Sequence, residues 1–203
     1  MQDEALDALR ADEYLGPLVE AHGPVTVEPT DDFYRRFVVS ILRQQVSMAS
    51  AAATRERLFE RVPPTPAAML SADDETLRDA GLSRQKTRYV KAVARAFRER
   101  GWSREFFAGM DDDAVRAELT DVTGVGTWTA NMQLLFSLGR EDVFPVGDLG
   151  VRKGMQSLFA EDLTRSEMVE RAERWRPFRS YATLYCWRHE EDGAENVAEG
   201  VEG

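Results

Sequence analysis

Residues 119–150 read LTDVTGVGTWTANMQLLFSLGREDVFPVGDLG, and the fold of the chain is decided there. Gly124-Val125-Gly126 forms a tight turn between a polar segment of helical character and the apolar segment 127–138. Phe144-Pro145-Val146-Gly147 then delivers a carboxylate, Asp148, to the start of another helix-like segment. A double-glycine turn opening a helix leaves backbone N–H groups without intrahelical acceptors, where the helix dipole favours negative charge, so it suits an anion such as phosphate. Such turns also join helices without binding anything, and Asp148 in that position also reads as a helix cap. The surrounding chain has to separate these readings.

At 203 residues and 43% hydrophobic content, the chain suits one soluble unit or two lobes sharing a core. It has no apolar run long enough to cross a bilayer and opens MQDEALDALRADE, with no signal peptide, so an intracellular protein without a membrane partner is expected. The single cysteine, Cys186, excludes an intramolecular disulfide and an all-cysteine metal or iron–sulfur site. With His22 and His189 the only histidines, a zinc site is not expected either.

The net charge of -10 argues against nucleic acid until its distribution is read. Residues 1–32 carry nine acids and one Arg, and residues 190–203 six acids and no base. That leaves 21 acids against 25 bases between 33 and 189, a net of +4. Only three of the 26 bases are Lys, a bias toward the side chain that grips phosphate bidentately. An acidic, lysine-poor surface is equally an adaptation to high salt.

Helical periodicity accounts for the rest. Residues 1–22 predict one or two short helices. Thr30 and Asp31 cap a helix whose face is Phe33, Phe37, Val38, Ile41 and Leu42. Gln44-Gln45-Val46-Ser47 interrupts it, an alanine-rich helix follows over 48–61, and Thr65-Pro66 starts another. Ser71 caps a helix ending at Gly81, and helices are expected over 84–100, 102–110, from 111 onward, and over 149–159, 166–175 and 177–190. No strand is expected, since 25–27 is too short for a sheet, and the acidic 191–203 is expected to lack structure. The class is all-α.

Taken together with Gln44-Gln45-Val46-Ser47 and Arg176-Pro177-Phe178-Arg179-Ser180-Tyr181-Ala182, the stretch 119–150 resembles the helix-hairpin-helix (HhH-GPD) DNA glycosylase superfamily, and within it the alkylbase branch, the 3-methyladenine DNA glycosylase II proteins. The resemblance covers residues 32–187 and includes the 20-residue interval from Trp128 to Asp148. It implies two helical lobes with a DNA-binding cleft between them: 33–140 carrying the hairpin, and 1–32 plus 141–190 as the second, without the N-terminal β domain of some relatives.

The resemblance also implies a role for each site residue. Val122, Gly124, Val125, Gly126 and Thr127 would hold a phosphate of double-stranded DNA, with a monovalent cation at the carbonyls of Val122 and Gly124. Asp148 would be catalytic, stabilising the positive charge that develops on the sugar as an N-glycosidic bond breaks, orienting water, or both. Trp128, Trp187 and Met132 would line the base pocket, where indole faces bind a flipped, cationic alkylated purine; Met132 stands where a tyrosine is common, which bears on lesion choice. Core filling is the alternative for the tryptophans, and the better reading for Trp102 and Trp175. Gln45 would wedge into the duplex, or be an ordinary loop glutamine, and Leu82 is a second wedge candidate. Trp128 replaces the lysine nucleophile of strand-nicking relatives, so a monofunctional hydrolase leaving an abasic site is expected, with no cofactor or catalytic metal and as a monomer. The rivals are a glycosylase of the same fold for oxidised or deaminated bases and a non-catalytic hairpin DNA-binding protein.

Overall fold

The computed structural model describes the backbone of residues 2–201 and the side chains of residues 2–190. All regular structure among them is helical, and the chain divides into two units: Pro29–Leu138 is one, and the segments before 29 and after 138 form the other. The first boundary lies a few residues ahead of the expected 33, because Thr30 N–H donates to the Phe136 carbonyl (2.9 Å) and ties the entering segment to the end of that unit.

The unit Pro29–Leu138 contains α3 (Phe33–Arg43), α4 (Met48–Arg61), α5 (Pro66–Ser71), α6 (Asp74–Asp79), α7 (Arg84–Glu99), α8 (Arg104–Phe107), α9 (Asp112–Thr120) and α10 (Thr127–Phe136). Side chains cap the first seven of these: Asp32, Ser47, Thr65, Asp73, Ser83, Ser103 and Asp111 each accept an N–H from the first turn. Asp32 caps α3 in place of the expected Thr30 or Asp31. Ser71 closes α5 while Asp73, bonded to the Thr76 N–H at 2.6 Å, starts α6. Phe33, Phe37, Phe97, Trp102 and Phe107 pack edge-on and stacked into an aromatic core, so Trp102 fills the interior as expected.

α10 has buried residues from Thr129 to Leu135 all round its surface, which marks it as the central helix of its unit. Its polar side chains are therefore bonded internally. Gln133 donates to Ser40 Oγ (2.9 Å) and accepts from Ser137 Oγ (2.8 Å), while Asn131 Oδ1 accepts from Arg116 Nε (2.9 Å).

The other unit contains α1 (Gln2–Arg10), α2 (Gly16–His22), α11 (Leu149–Phe159), α12 (Arg165–Ala172), a 3-10 turn (Glu173–Trp175) and α13 (Arg179–Val201). Trp175, 2% exposed, lies in its core as expected. α11 and α13 cross closely: a Cβ built on Gly154 would lie 2.2 Å from the Cys186 carbonyl oxygen. The Cys186 thiol is fully buried at this crossing, and burial pushes its pKa up to about 12.

The segment expected to be unstructured is helical in backbone as far as Val201, a continuation of α13. Its alanines and glutamates are good helix formers, and a helix already nucleated by packing upstream extends at little cost.

Gly154→Ala is expected to destabilise this unit by about 1–3 kcal/mol, because the added methyl overlaps backbone that cannot move aside. A lower thermal midpoint together with faster alkylation of Cys186 is the expected outcome. An unchanged midpoint with a protected thiol would show that the crossing has slack.

Candidate active site

The hairpin is built by two constraints of different kind. Gly124 has φ +92, and a Cβ there would lie 2.1 Å from Cγ of Tyr89, so the tyrosine ring occupies the space a side chain would need. Gly126 has an ordinary φ of -95, and a Cβ on it would meet nothing within 4 Å. No internal contact explains the second glycine; it faces open space at the start of α10. Of the helices from α3 to α12, α10 alone has no side-chain cap, since Gly126 offers none. Thr127 opens the helix and is exposed, while Val122 and Val125 are buried anchors of the turn.

A cavity of about 710 Å³ lies within this unit, lined by Gly124, Val125, Gly126, Trp128 and Gln45 among others. Arg43 and Lys86 also line it and no acid does, so the acidic chain keeps this concavity cationic. Lys86 Nζ donates to the Leu42 carbonyl (2.6 Å) at the end of α3, and burial pushes its pKa below the usual lysine value. Trp128 is half-buried on the cavity wall.

Gln45 is exposed and holds φ +57, a left-handed conformation that a non-glycine residue adopts only when its surroundings impose it. The neighbouring Gln44 supplies the constraint. Its Nε2 donates to the Gly124 carbonyl (3.0 Å) and to Thr129 Oγ1 (2.9 Å), clamping the α3–α4 loop to the hairpin. Val46 and Met48, 44% and 63% exposed, extend the same projecting loop.

Two expectations change here. Leu82 is not a wedge: α6 ends in a Schellman motif, with Gly81 N–H bonded to Arg78 O (2.8 Å) and Leu82 N–H to Leu77 O (3.2 Å), which turns Leu82 into the core at 4% exposure. Met132 is 2% exposed and is not a wall of the cavity. The two carbonyls named for a cation each already accept a hydrogen bond. Val122 O accepts from Val125 N–H (3.0 Å), and Gly124 O faces the positive end of the Gln44 amide.

In the other unit, the loop before α11 is held by the Arg179-Ser180-Tyr181 segment. Arg179 pairs with Asp142 (Nε to Oδ1, 2.6 Å), Ser180 Oγ accepts from Val143 N–H (2.9 Å) and donates to Arg140 O (2.6 Å), and Tyr181 Oη donates to Glu141 (2.9 Å). Burial, with Glu141 next, pushes the Tyr181 hydroxyl up to about 12, so it stays a donor. This loop ends at Asp148, which caps α11 with Oδ1 accepting from Val151 N–H (3.0 Å). The same oxygen accepts from Trp187 Nε1 (2.8 Å). Cap and candidate catalytic group are thus one carboxylate.

The model of the HhH-GPD superfamily of base excision DNA repair proteins matches residues 38–180, which include the Gln45 loop, the hairpin, Trp128 and Asp148. The chain belongs to this superfamily. DNA-3-methyladenine glycosylase 1 of Schizosaccharomyces pombe is 30% identical to it over 76% of this chain and 71% of its own length. The Escherichia coli DNA-3-methyladenine glycosylase 2 is 29% identical over 85% of this chain and 63% of its own length. The chain also spans 64% of the length of a Bacillus subtilis homologue. Among solved structures, the S. pombe 3-methyladenine DNA glycosylase in complex with abasic DNA superposes with a TM-score of 0.83 at 28% identity, over 91% of this chain and 95% of that one.

For this HhH-GPD chain, the two hairpin glycines are expected to fail differently. Gly124→Ala should lower the thermal midpoint, because Tyr89 must be displaced. Gly126→Ala should leave the midpoint unchanged and weaken duplex binding by about fivefold, the cost of one hydrogen bond to phosphate. Fluorescence anisotropy alongside calorimetry separates the two, and equal losses of stability would refute the distinction.

Proposed function

We infer that this chain is a monofunctional DNA glycosylase of base excision repair that flips an alkylated purine of the 3-methyladenine type out of damaged duplex DNA and hydrolyses its glycosidic bond, leaving an abasic site. The observation that carries the reading is Asp148, a carboxylate fixed through one oxygen by two N–H donors in a chain of this superfamily. A fixed negative charge costs no reorganisation when the sugar becomes oxocarbenium-like, and the same group orients the attacking water.

The other roles follow the same economy. The backbone at Gly126 and the uncapped start of α10 receive a phosphate, Gln45 occupies the gap left by the flipped nucleotide, and Trp128 stacks on the extruded base. Cationic alkylpurines are good leaving groups, so an indole face and a carboxylate suffice without a strong general acid. Trp128 stands where strand-nicking relatives carry their lysine nucleophile, which supports hydrolysis over Schiff-base chemistry.

Asp148→Asn tests the reading cleanly, because asparagine caps a helix as well as aspartate and its carbonyl accepts the same two N–H groups. Excision of an alkylated base should fall by a factor on the order of a hundred or more, while binding to a duplex carrying an abasic-site analogue persists. Excision near the wild-type rate would sink the assignment.

A further inference from the structure

We propose that Trp187 is a positioning residue for Asp148, and that Gly150 is the position that allows it to be one; the proposal rests on the catalytic reading of Asp148 given above. Trp187 Nε1 donates to Asp148 Oδ1 at 2.8 Å, and the Val151 N–H reaches the same oxygen at 3.0 Å. Two donors arriving from different elements, α13 and the first turn of α11, fix the carboxylate against rotation in a way a single cap bond does not.

Gly150 sits at the closest point of this arrangement. A Cβ built there would lie 2.8 Å from Trp187 Cδ1, 3.1 Å from its Nε1 and 3.3 Å from Asp148 Oδ1, so it would crowd both partners of the bond. The glycine is inside a helix, where it weakens the helix relative to alanine, and φ does not demand it. Its use is the approach of the indole. One turn later Gly154 does the same for the backbone, letting the carbonyl of Cys186, the residue before Trp187, come within the volume of a methyl group. The two glycines lie on one face of α11 and set where α13 places its tryptophan.

This arrangement limits what Trp187 does for the base. Indole has one N–H and no acceptor, and that N–H is spent on Asp148. Trp187 therefore offers a base its ring surface only, and lesion discrimination by hydrogen bonding falls to other groups. A wall residue and a positioning residue respond differently to Trp187→Phe, which keeps an aromatic surface and removes the donor.

The experiment uses the full chain with Trp187→Phe, Gly150→Ala, Asp148→Asn and the Asp148→Asn/Trp187→Phe double variant. Single-turnover excision from an alkylated duplex is measured beside affinity for a duplex with an abasic-site analogue. Trp187→Phe and Gly150→Ala should each lose on the order of tenfold to a hundredfold in rate, as expected for a hydrogen bond to a charged group, with affinity unchanged within about twofold. In the Asp148→Asn background Trp187→Phe should cost little further, because the carboxylate it positions is gone. Trp187→Phe at the wild-type rate, a loss matched by weaker binding, or the full loss repeated on Asp148→Asn would each overturn the proposal, and none of them depends on Gly150→Ala folding. Asp148→Asn at the wild-type rate would overturn the catalytic reading and the proposal together, whereas an inactive Asp148→Asn beside a fully active Trp187→Phe overturns the proposal alone.

Discussion

The close crossing of α11 on α13 is the constraint on which the rest of the second unit depends. Gly154 admits the Cys186 carbonyl and Gly150 admits the Trp187 ring, so α11 presents no side chain of its own to α13 at either point. At this crossing Cys186 and Val151 are fully buried, while Gly150 and Trp187 are partly buried. The Asp142–Arg179 pair and the Ser180 bonds then fasten the incoming loop to α13 as well. α13 thus fastens the loop that leads to Asp148 and, through Trp187, Asp148 itself.

A parallel economy operates in the unit Pro29–Leu138. Gln44 spends both amide hydrogens on the hairpin and on α10, which holds the hairpin and the projecting Gln45 loop in a fixed relation. Tyr89 fills the hollow behind Gly124 from the other side. The Gln45 loop and the hairpin are accordingly tied together, and the strain at Gln45 is sustained by bonds made one residue earlier.

Much of this was legible in the chain itself, for identifiable reasons. Apolar spacing gave the helices closely, α11 over Leu149–Phe159 included, because amphipathic periodicity and capping residues are local signals. The Gly-x-Gly turn and Asp148 were also local. The partners were not: Gln44 reaches Gly124 across 80 residues, Arg179 reaches Asp142 across 37, Trp187 reaches Asp148 across 39, and Gly150 acts through a close approach, and a single sequence carries no distance information. Leu82, a wedge candidate through the resemblance, is a core residue because the left-handed Gly81 closes a Schellman motif that folds the leucine inward. Met132 was read through the resemblance, and its burial follows from its place on a helix covered on all sides.

The measurement closest to the central claim is product analysis for the wild-type chain acting on a duplex with a single 3-methyladenine. Release of the free alkylated base is expected, with a strand that stays continuous until treated with alkali. Failure to release any base, or strand cleavage without alkali, would contradict it.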